Sequence, residues 1–452
     1  MRETNSKGNA LNITAVVSFA IVALVQCVFF IGHAGAFSMP DPSLHLPSTY
    51  ALATGQSGND TEYVTDEYGN RIRRQYLRAE SGYLSVDMDN SLTVNVIRPA
   101  LSGDSAQIIS KQRASADAAG KPIEGFYRST QYAPTNYVPQ AIGLAVGRAL
   151  GVAPYQAWQM ARVTNFLVFV LLMGFAIWVT PWGKSVLVVI GVLPTTVFVA
   201  CSLMPDGQFI AFSACFIALT VASAHERRPM GLKTYVALLL LGVLLLYGKP
   251  LYCVVALLAL VLPHHVLSMR RKAIALGIVV IAAIAYLWWS SRYSGGLYAV
   301  NMAANREYIM ERPWKPVVMA LWNMLCSKRE LDVLGANYMY LAVAFLSLVL
   351  LAFIKQLWQM RGTTSRGCIR MSSLISRWRY AICALIGFLM CLWAIYFFEA
   401  LTWNDVSSMS TWDMLEGFQG RYILPILPLA VALHCVKDCG RAGNADNKSA
   451  EA

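Results

Sequence analysis

A chain of 452 residues with 56% hydrophobic and only 14% charged side chains has too few charges for a soluble surface of its size, since soluble domains carry about 25%. Apolar runs of bilayer-spanning length recur along it, so the class is a polytopic membrane protein. The net charge of +12 does not indicate nucleic acid, because the basic residues cluster in short loops between apolar runs: "HERRPMGLK", "SMRRK" and "KQLWQMRGTTSRGCIRMSSLISRWR". Such loops mark the cytoplasmic side.

The first apolar run extends from Leu11 to Ile31. It is longer than the roughly 7–15 apolar residues of a signal peptide, so it reads as an uncleaved span with the N-terminus inside. Residues 33–133 then form an extracytoplasmic loop. Alternation in "YLSVDMDNSLTVNVIRP" predicts a β-hairpin over 83–97, and 102–125 reads as a mobile loop. "YVPQAIGLAVGRALGVAP" (137–154) is short and glycine-rich, which suits an interfacial or half-buried helix.

Spans follow at 156–179, 185–204 and 207–224. The run from Thr234 to Leu262 is read as a hairpin of two short or re-entrant segments broken at "YGKP" (247–250), because a single crossing would place two basic clusters outside. Further spans are expected at 273–290, 338–355, 379–398 and 421–436, with a basic cytoplasmic loop at 355–379 and a cytoplasmic tail from 437. The fold class is therefore all-α polytopic, with about ten crossings and a mixed extracytoplasmic first loop. Asp41, His45, Asp206, Glu399, Asp405 and Arg421 fall on the outer face, and Lys249 at the hairpin apex points towards it. The ten cysteines lie mostly in or beside apolar runs and support no disulfide framework.

Several polar residues interrupt this pattern. Pro40 and Pro42 restrict the backbone around Asp41, which suits a fixed general base, although a turn acid capping a helix has the same pattern. His45, four residues on, can share that task or help to hold a metal, or stand exposed. Asp206 sits at the mouth of a span, where an N-cap is the simpler role. Arg162 and Asn165 share a helix face with Gln159, and an arginine there faces a cavity or snorkels to the interface. Lys249 at a helix break suits a phosphate or merely caps the hairpin. Arg421 beside Tyr422 offers a planar fork for a phosphate, or an interfacial anchor. Tyr127, Tyr132 and Tyr137 can stack on a sugar face, although a membrane belt is the simpler reading. No P-loop, dinucleotide fingerprint, HExxH or nucleophile elbow is present, so ATP-driven transport and soluble-type hydrolysis lack motif support.

In order, "MPDPSLHLPSTYALATG", "YVPQAIGLAVGRALG", "ARVTNFL", "LMPDG", "GKPLY" and "GFQGRYILPILP" give a pattern that resembles the bacterial polytopic membrane family catalogued as domain of unknown function 2142. That family looks like a branch of the GT-C membrane glycosyltransferases, which take a sugar from a polyprenyl-phosphate donor using an acid in the first extracytoplasmic loop. The resemblance implies Asp41 as that acid and His45 as the histidine after it. It implies Arg162, Asn165, Asp206, Lys249, Arg421 and Tyr422 as donor- and phosphate-binding groups. Pro42 stands where the family usually has a glutamate, leaving Asp41 as the single acid. A divalent metal stays open and no other cofactor is implied. The expected partners are membrane lipid, a polyprenyl-phosphate-linked sugar and an envelope glycan acceptor, without nucleic acid. The expected location is a bacterial cytoplasmic membrane, with both termini cytoplasmic. A non-catalytic binder or transporter of lipid-linked glycans and an envelope assembly subunit are the alternatives.

Overall fold

The computed structural model describes residues 2–84, 105–117, 122–128, 132–296, 298–326, 330–331, 336–337 and 371–433. The expected hairpin strands beyond residue 84, the span at 338–355, most of the basic loop and the C-terminal tail lie outside these residues.

Helix α1 (Arg2–His33) leads through a turn into the short helix α2 (Pro42–Ala53). Proline is at home in the first turn of α2, because the N–H it lacks would have no helical partner there. A three-stranded antiparallel sheet follows, from β1 (Thr61–Thr65), β2 (Arg71–Ala79) and β3 (Ile123–Arg128), in the order β1-β2-β3. Its first turn is set by Asp66, whose Oδ1 accepts from the backbone N–H groups of Tyr68 at 3.0 Å and Asn70 at 2.7 Å. Asn70 then pins the turn to the chain around residue 300, donating to the Val300 carbonyl at 2.8 Å and accepting from the Met302 N–H at 2.7 Å.

Residues 102–125 are not the loop that their low hydrophobicity predicts. They include helix α3 (Ser105–Asp117) and the start of β3. Gln112 of α3 accepts from the Phe37 N–H at 3.2 Å and donates to Ser38 Oγ at 3.0 Å. The helix is thus held by polar contacts that an apolar periodicity does not register.

A 3-10 turn (Pro134–Tyr137) opens α4 (Val138–Ala149), which packs along α5 (Pro154–Val179). The approach is close because a Cβ at Gly143 would lie 2.7 Å from the Ala161 Cα, and one at Gly147 would lie 2.7 Å from the Ala157 Cα. Small residues four apart on both helices let the backbones meet.

The expected span at 185–204 is two pieces, α6 (Lys184–Val192) and α7 (Pro194–Ala200). The break falls at Leu193, which is extended before Pro194, as the proline ring requires of its predecessor. Helix α8 (Asp206–Glu226) is the most enclosed of the long helices. The hairpin of short segments is present: α9 (Leu232–Gly248) ends before Lys249, and a 3-10 stretch (Pro250–Ala256) and α10 (Leu257–Leu260) follow.

Beyond it lie α11 (Met269–Tyr293), α12 (Met302–Glu311), α13 (Trp314–Cys326) and α14 (Met371–Thr402). Helix α11 buries only Ala282 and exposes Leu276, Ile281, Ile284 and Leu287, the surface of a helix solvated by hydrocarbon. The expected last span begins instead as a 3-10 helix (Gly420–Leu429), with Pro425 and Pro428 inside it, and continues as α15 (Ala430–Leu433). The two missing proline N–H groups account for the departure from α geometry.

Among the described residues, five helices are long and apolar enough to cross a membrane: Asn12–His33, Pro154–Val179, Asp206–Glu226, Met269–Tyr293 and Arg379–Thr402. Shorter apolar helices stand beside them. The buried apolar side chains form a continuous core running from Phe19 and Phe30 through Phe169 and Phe198 to Tyr396 and Ile426. Replacing Gly147 by leucine is expected to force α4 off α5 at a cost of about 1–3 kcal/mol. A lowered melting temperature of the detergent-purified protein is the measurement, and an unchanged melting curve would refute the close-approach argument.

Candidate functional site

Asp41 stands immediately before α2 with φ 54° and ψ 46°, in the left-handed region that few residues other than glycine adopt. Its backbone carbonyl accepts from the N–H groups of Leu44 at 3.0 Å and His45 at 3.2 Å. Its carboxylate caps nothing. Instead Oδ2 lies 3.1 Å from Arg421 Nη2, and the side chain keeps 35% of its surface exposed. Burial by itself raises the Asp41 carboxyl, but the Arg421 guanidinium, with smaller help from the other groups around it, holds it below the usual carboxylate range. The group is an anion at neutral pH.

Arg421 is the centre of the arrangement and is 2% exposed. Its Nε is 4.0 Å from Asp206 Oδ1, and its Nη1 donates to Met204 Sδ at 2.8 Å. Asp206 is 1% exposed and occupies the first turn of α8 without capping it by a side-chain bond. The positive end of that helix nevertheless favours a carboxylate there.

The "CSLMPDG" turn that presents Met204 and Asp206 is held by side chains from two other helices. Arg162 Nε donates to the Cys201 carbonyl at 2.7 Å, and Asn165 Nδ2 donates to the Ser202 carbonyl at 2.9 Å and the Met204 carbonyl at 3.1 Å. Gln140 donates to the Met204 carbonyl at 3.2 Å. The rest of the Arg162 guanidinium serves the carbonyls of Ala34 at 2.9 Å and Phe30 at 3.2 Å, at the end of α1, together with Gln159 Oε1 at 2.9 Å. Arg162 and Asn165 stand outside the cavity described next, and their donors hold the scaffold rather than face a ligand. A cation at this position draws together carbonyls at the C-terminal ends of α1 and α7, where helices gather negative partial charge.

A cavity of about 340 Å³ opens between α2, the α9 break, α11, the end of α14 and the start of the last 3-10 helix. Asp41, His45, Lys249 and Tyr422 line it together with Glu399, Gln419 and Trp403, and Leu251, Ile395 and Phe398 supply apolar wall. Its volume is within the range of ligand sites, about 300–1,000 Å³. His45 is buried, bonded through Nδ1 to the Tyr137 hydroxyl at 2.8 Å and stacked on Tyr132. Burial lowers its pKa to about 4, although the Asp41 charge opposes the shift, so the imidazole is neutral at pH 7. Lys249 Nζ lies 3.7 Å from the centroid of the Tyr422 ring. Among the described residues no carboxylate approaches its ammonium within the 4.0 Å of an ion pair.

Of the eight residues expected at the site, four line the cavity, Arg421 meets it through Asp41, Asp206 stands behind Arg421, and Arg162 and Asn165 support the turn. Tyr132 and Tyr137, expected in a membrane belt, belong to the site through His45. Glu399 is expected on the same face as Asp41 but is given no role there. An acid closing the apolar run "WAIYFFEALTW" was the signal. Among the described residues no group of three His, Cys, Asp or Glu side chains is placed to hold a metal ion.

Two expected outcomes follow from these contacts. Substituting Arg162 by alanine strips buried carbonyls of a charged donor and is expected to cost on the order of 3 kcal/mol. Loss of folded protein on size-exclusion chromatography checks it, and a variant as stable as the parent would contradict the scaffold role. His45 has a folded pKa of about 4, below the roughly 6.5 of the unfolded chain. The unfolded state therefore binds the extra proton between those values, and stability falls as pH drops from about 6.5 towards 4. His45→Gln should remove that part of the acid sensitivity, on the order of 3 kcal/mol, when melting temperatures of the two proteins are compared across this window.

No curated protein and no solved structure matches the chain significantly. A family model does match, over residues 24–430, a stretch that contains the ion pair, the supporting turn and every residue lining the cavity. The chain therefore belongs to the family of predicted membrane proteins known as domain of unknown function 2142.

Proposed function

We propose that the cavity is a glycosyl-transfer site, in which a sugar passes from a polyprenyl-phosphate donor to the hydroxyl of an envelope glycan. The observation that carries this reading is the Asp41 carboxylate: held at a strained backbone position, excused from capping, ionised, and facing a cavity it shares with a lysine that has no acidic partner within ion-pair distance among the described residues. Asp41 takes the acceptor's proton as the acceptor oxygen bonds to the anomeric carbon. The bond from that carbon to the phosphate oxygen breaks, and its electron pair leaves on the phosphate. A carboxylate of depressed pKa is a weak base, so the proton moves late, when the hydroxyl has become acidic. Lys249 neutralises the charge gathering on the departing phosphate. Attack opposite the leaving group inverts the anomeric centre. The apolar wall of Leu251, Ile395 and Phe398 suits the first isoprene units of the donor.

In this reading the chain crosses a bacterial cytoplasmic membrane about ten times, in the manner of the GT-C enzymes, with both ends inside and the cavity facing out. Arg421 acts through Asp41 and Asp206, not on the phosphate, because its guanidinium is already engaged by them and by Met204. One observation favours the second reading, a binder or transporter of lipid-linked glycans: the same ion pair that keeps Asp41 ionised also occupies one of its oxygens.

The two readings part at Asp41→Asn. Envelope glycans and lipid-linked sugars are compared by mass spectrometry in a deletion strain, a wild-type rescue and an Asn rescue at matched protein level. Transfer through Asp41 predicts that the substituent lost in the deletion stays at least about 100-fold below wild type in the Asn rescue. Full restoration would remove the general base and leave the binder.

A further inference from the structure

Among the groups lining the cavity are two buried acceptors that have no donor among the described residues. Glu399 is 4% exposed, and its Oε2 has no hydrogen-bond partner among the described residues. The amide oxygen of Gln419 is likewise buried and unpartnered. Both residues line the cavity, beside the indole of Trp403. An acceptor left without a donor in a buried place costs about 1–3 kcal/mol, and more when it carries charge. Such a pair is tolerated where a ligand brings the donors.

The local chain is shaped around this feature. Gly417 has φ +94°, and a Cβ there would fall on Glu399 Oε2 and on the Trp403 ring. Asn404 fixes the loop that carries these groups, donating to the Glu399 backbone carbonyl at 2.9 Å and the Glu416 carbonyl at 3.0 Å and accepting from the Glu416 N–H at 2.8 Å. The backbone is satisfied and the side-chain acceptors are not. A cationic ligand is disfavoured, because the Lys249 ammonium lines the same cavity. What remains is a neutral group with several O–H donors and an apolar face to set against an indole.

The geometry points to Glu399, Gln419 and Trp403 as a polyol subsite that takes the ring of a sugar, two hydroxyls donating to Glu399 Oε2 and the Gln419 amide oxygen while a C–H face lies on Trp403. This rests on the transfer reading only in placing a sugar in the cavity. It adds which end the sugar occupies: the end formed by α14 and the 416–419 turn, with Asp41 left for the incoming hydroxyl. Glu399 is a binding residue here and takes no proton from the acceptor.

The test uses the full chain in lipid nanodiscs, with the methyl glycosides of glucose, galactose, mannose and N-acetylglucosamine as probes and saturation-transfer NMR with competition titration as readout. At least one glycoside is expected to bind, and Glu399→Gln to weaken it at least about tenfold, equivalent to about 1.4 kcal/mol. Without ligand, Glu399→Gln is expected to melt no lower than wild type, since the amide keeps the side chain's shape and the carboxyl has no ion-pair partner to lose among the described residues. Binding of none of the four probes, equal binding by wild type and Glu399→Gln, or a melting temperature that falls on substitution would each overturn the subsite. Glycoside binding through Glu399 alongside full glycan restoration by Asp41→Asn in cells would keep the subsite and end the transfer reading.

Discussion

The buried guanidinium of Arg421 joins three parts of the chain that are far apart in sequence: the first loop through Asp41, the start of α8 through Asp206, and the last 3-10 helix that carries the arginine itself. Taking such a charge out of water is expensive unless several partners share it. Two carboxylates of opposite charge and a methionine sulfur do so here. The polypeptide has to bring those partners to one point, and much of the polar structure around the site exists to do that. Arg162, Asn165 and Gln140 hold the turn before α8, and the left-handed Asp41 turns its carboxylate away from the helix it precedes.

The two acidic partners are treated differently, which sets what each can do. Asp206 is enclosed behind the arginine, and its charge is an internal counter-ion. Asp41 keeps a third of its side chain open to the cavity, so it can meet a ligand while the arginine holds it ionised. His45 packs against the same wall as a neutral imidazole, tied to Tyr137 and stacked on Tyr132, which shapes the cavity without adding charge to it. A single cation, Lys249 over the Tyr422 ring, is then the positive group nearest to a ligand among the residues lining the cavity. Aromatic support of this kind holds an ammonium without neutralising it.

The membrane character, the long helices at 154–179, 206–226 and 269–293, and the hairpin broken at Lys249 were all legible from apolar run length, charge placement and a Gly-Lys-Pro break. Those are local signals, because hydrocarbon solvates every residue of a spanning helix alike and leaves its composition visible. The break between α6 and α7 was present in the sequence as Pro194 but was masked by the hydrophobicity around it. Helix α3 and the sheet of β1 and β2 gave no comparable signal, since each is held by polar and long-range contacts such as those of Gln112 and Asn70.

By itself the sequence determined which residues were candidates, since an arginine, lysine or carboxylate next to an apolar run is costly enough to need a reason. It also read most of them onto one face, and the fold brings six of the eight to the cavity and to the ion pairs behind it. Their division of labour was decided by tertiary structure. Arg162 and Arg421 look equivalent in sequence, each a lone cation in an apolar helix. One is surrounded by backbone carbonyls and the other by carboxylates. Glu399 has the opposite history: its place at the end of an apolar run marks it in the sequence, but its role comes from a fold that buries it and gives its Oε2 no donor among the described residues. Whether a polar group is a strut or an open hand depends on which partners arrive from distant segments, and that information is carried by packing rather than by any local stretch of chain.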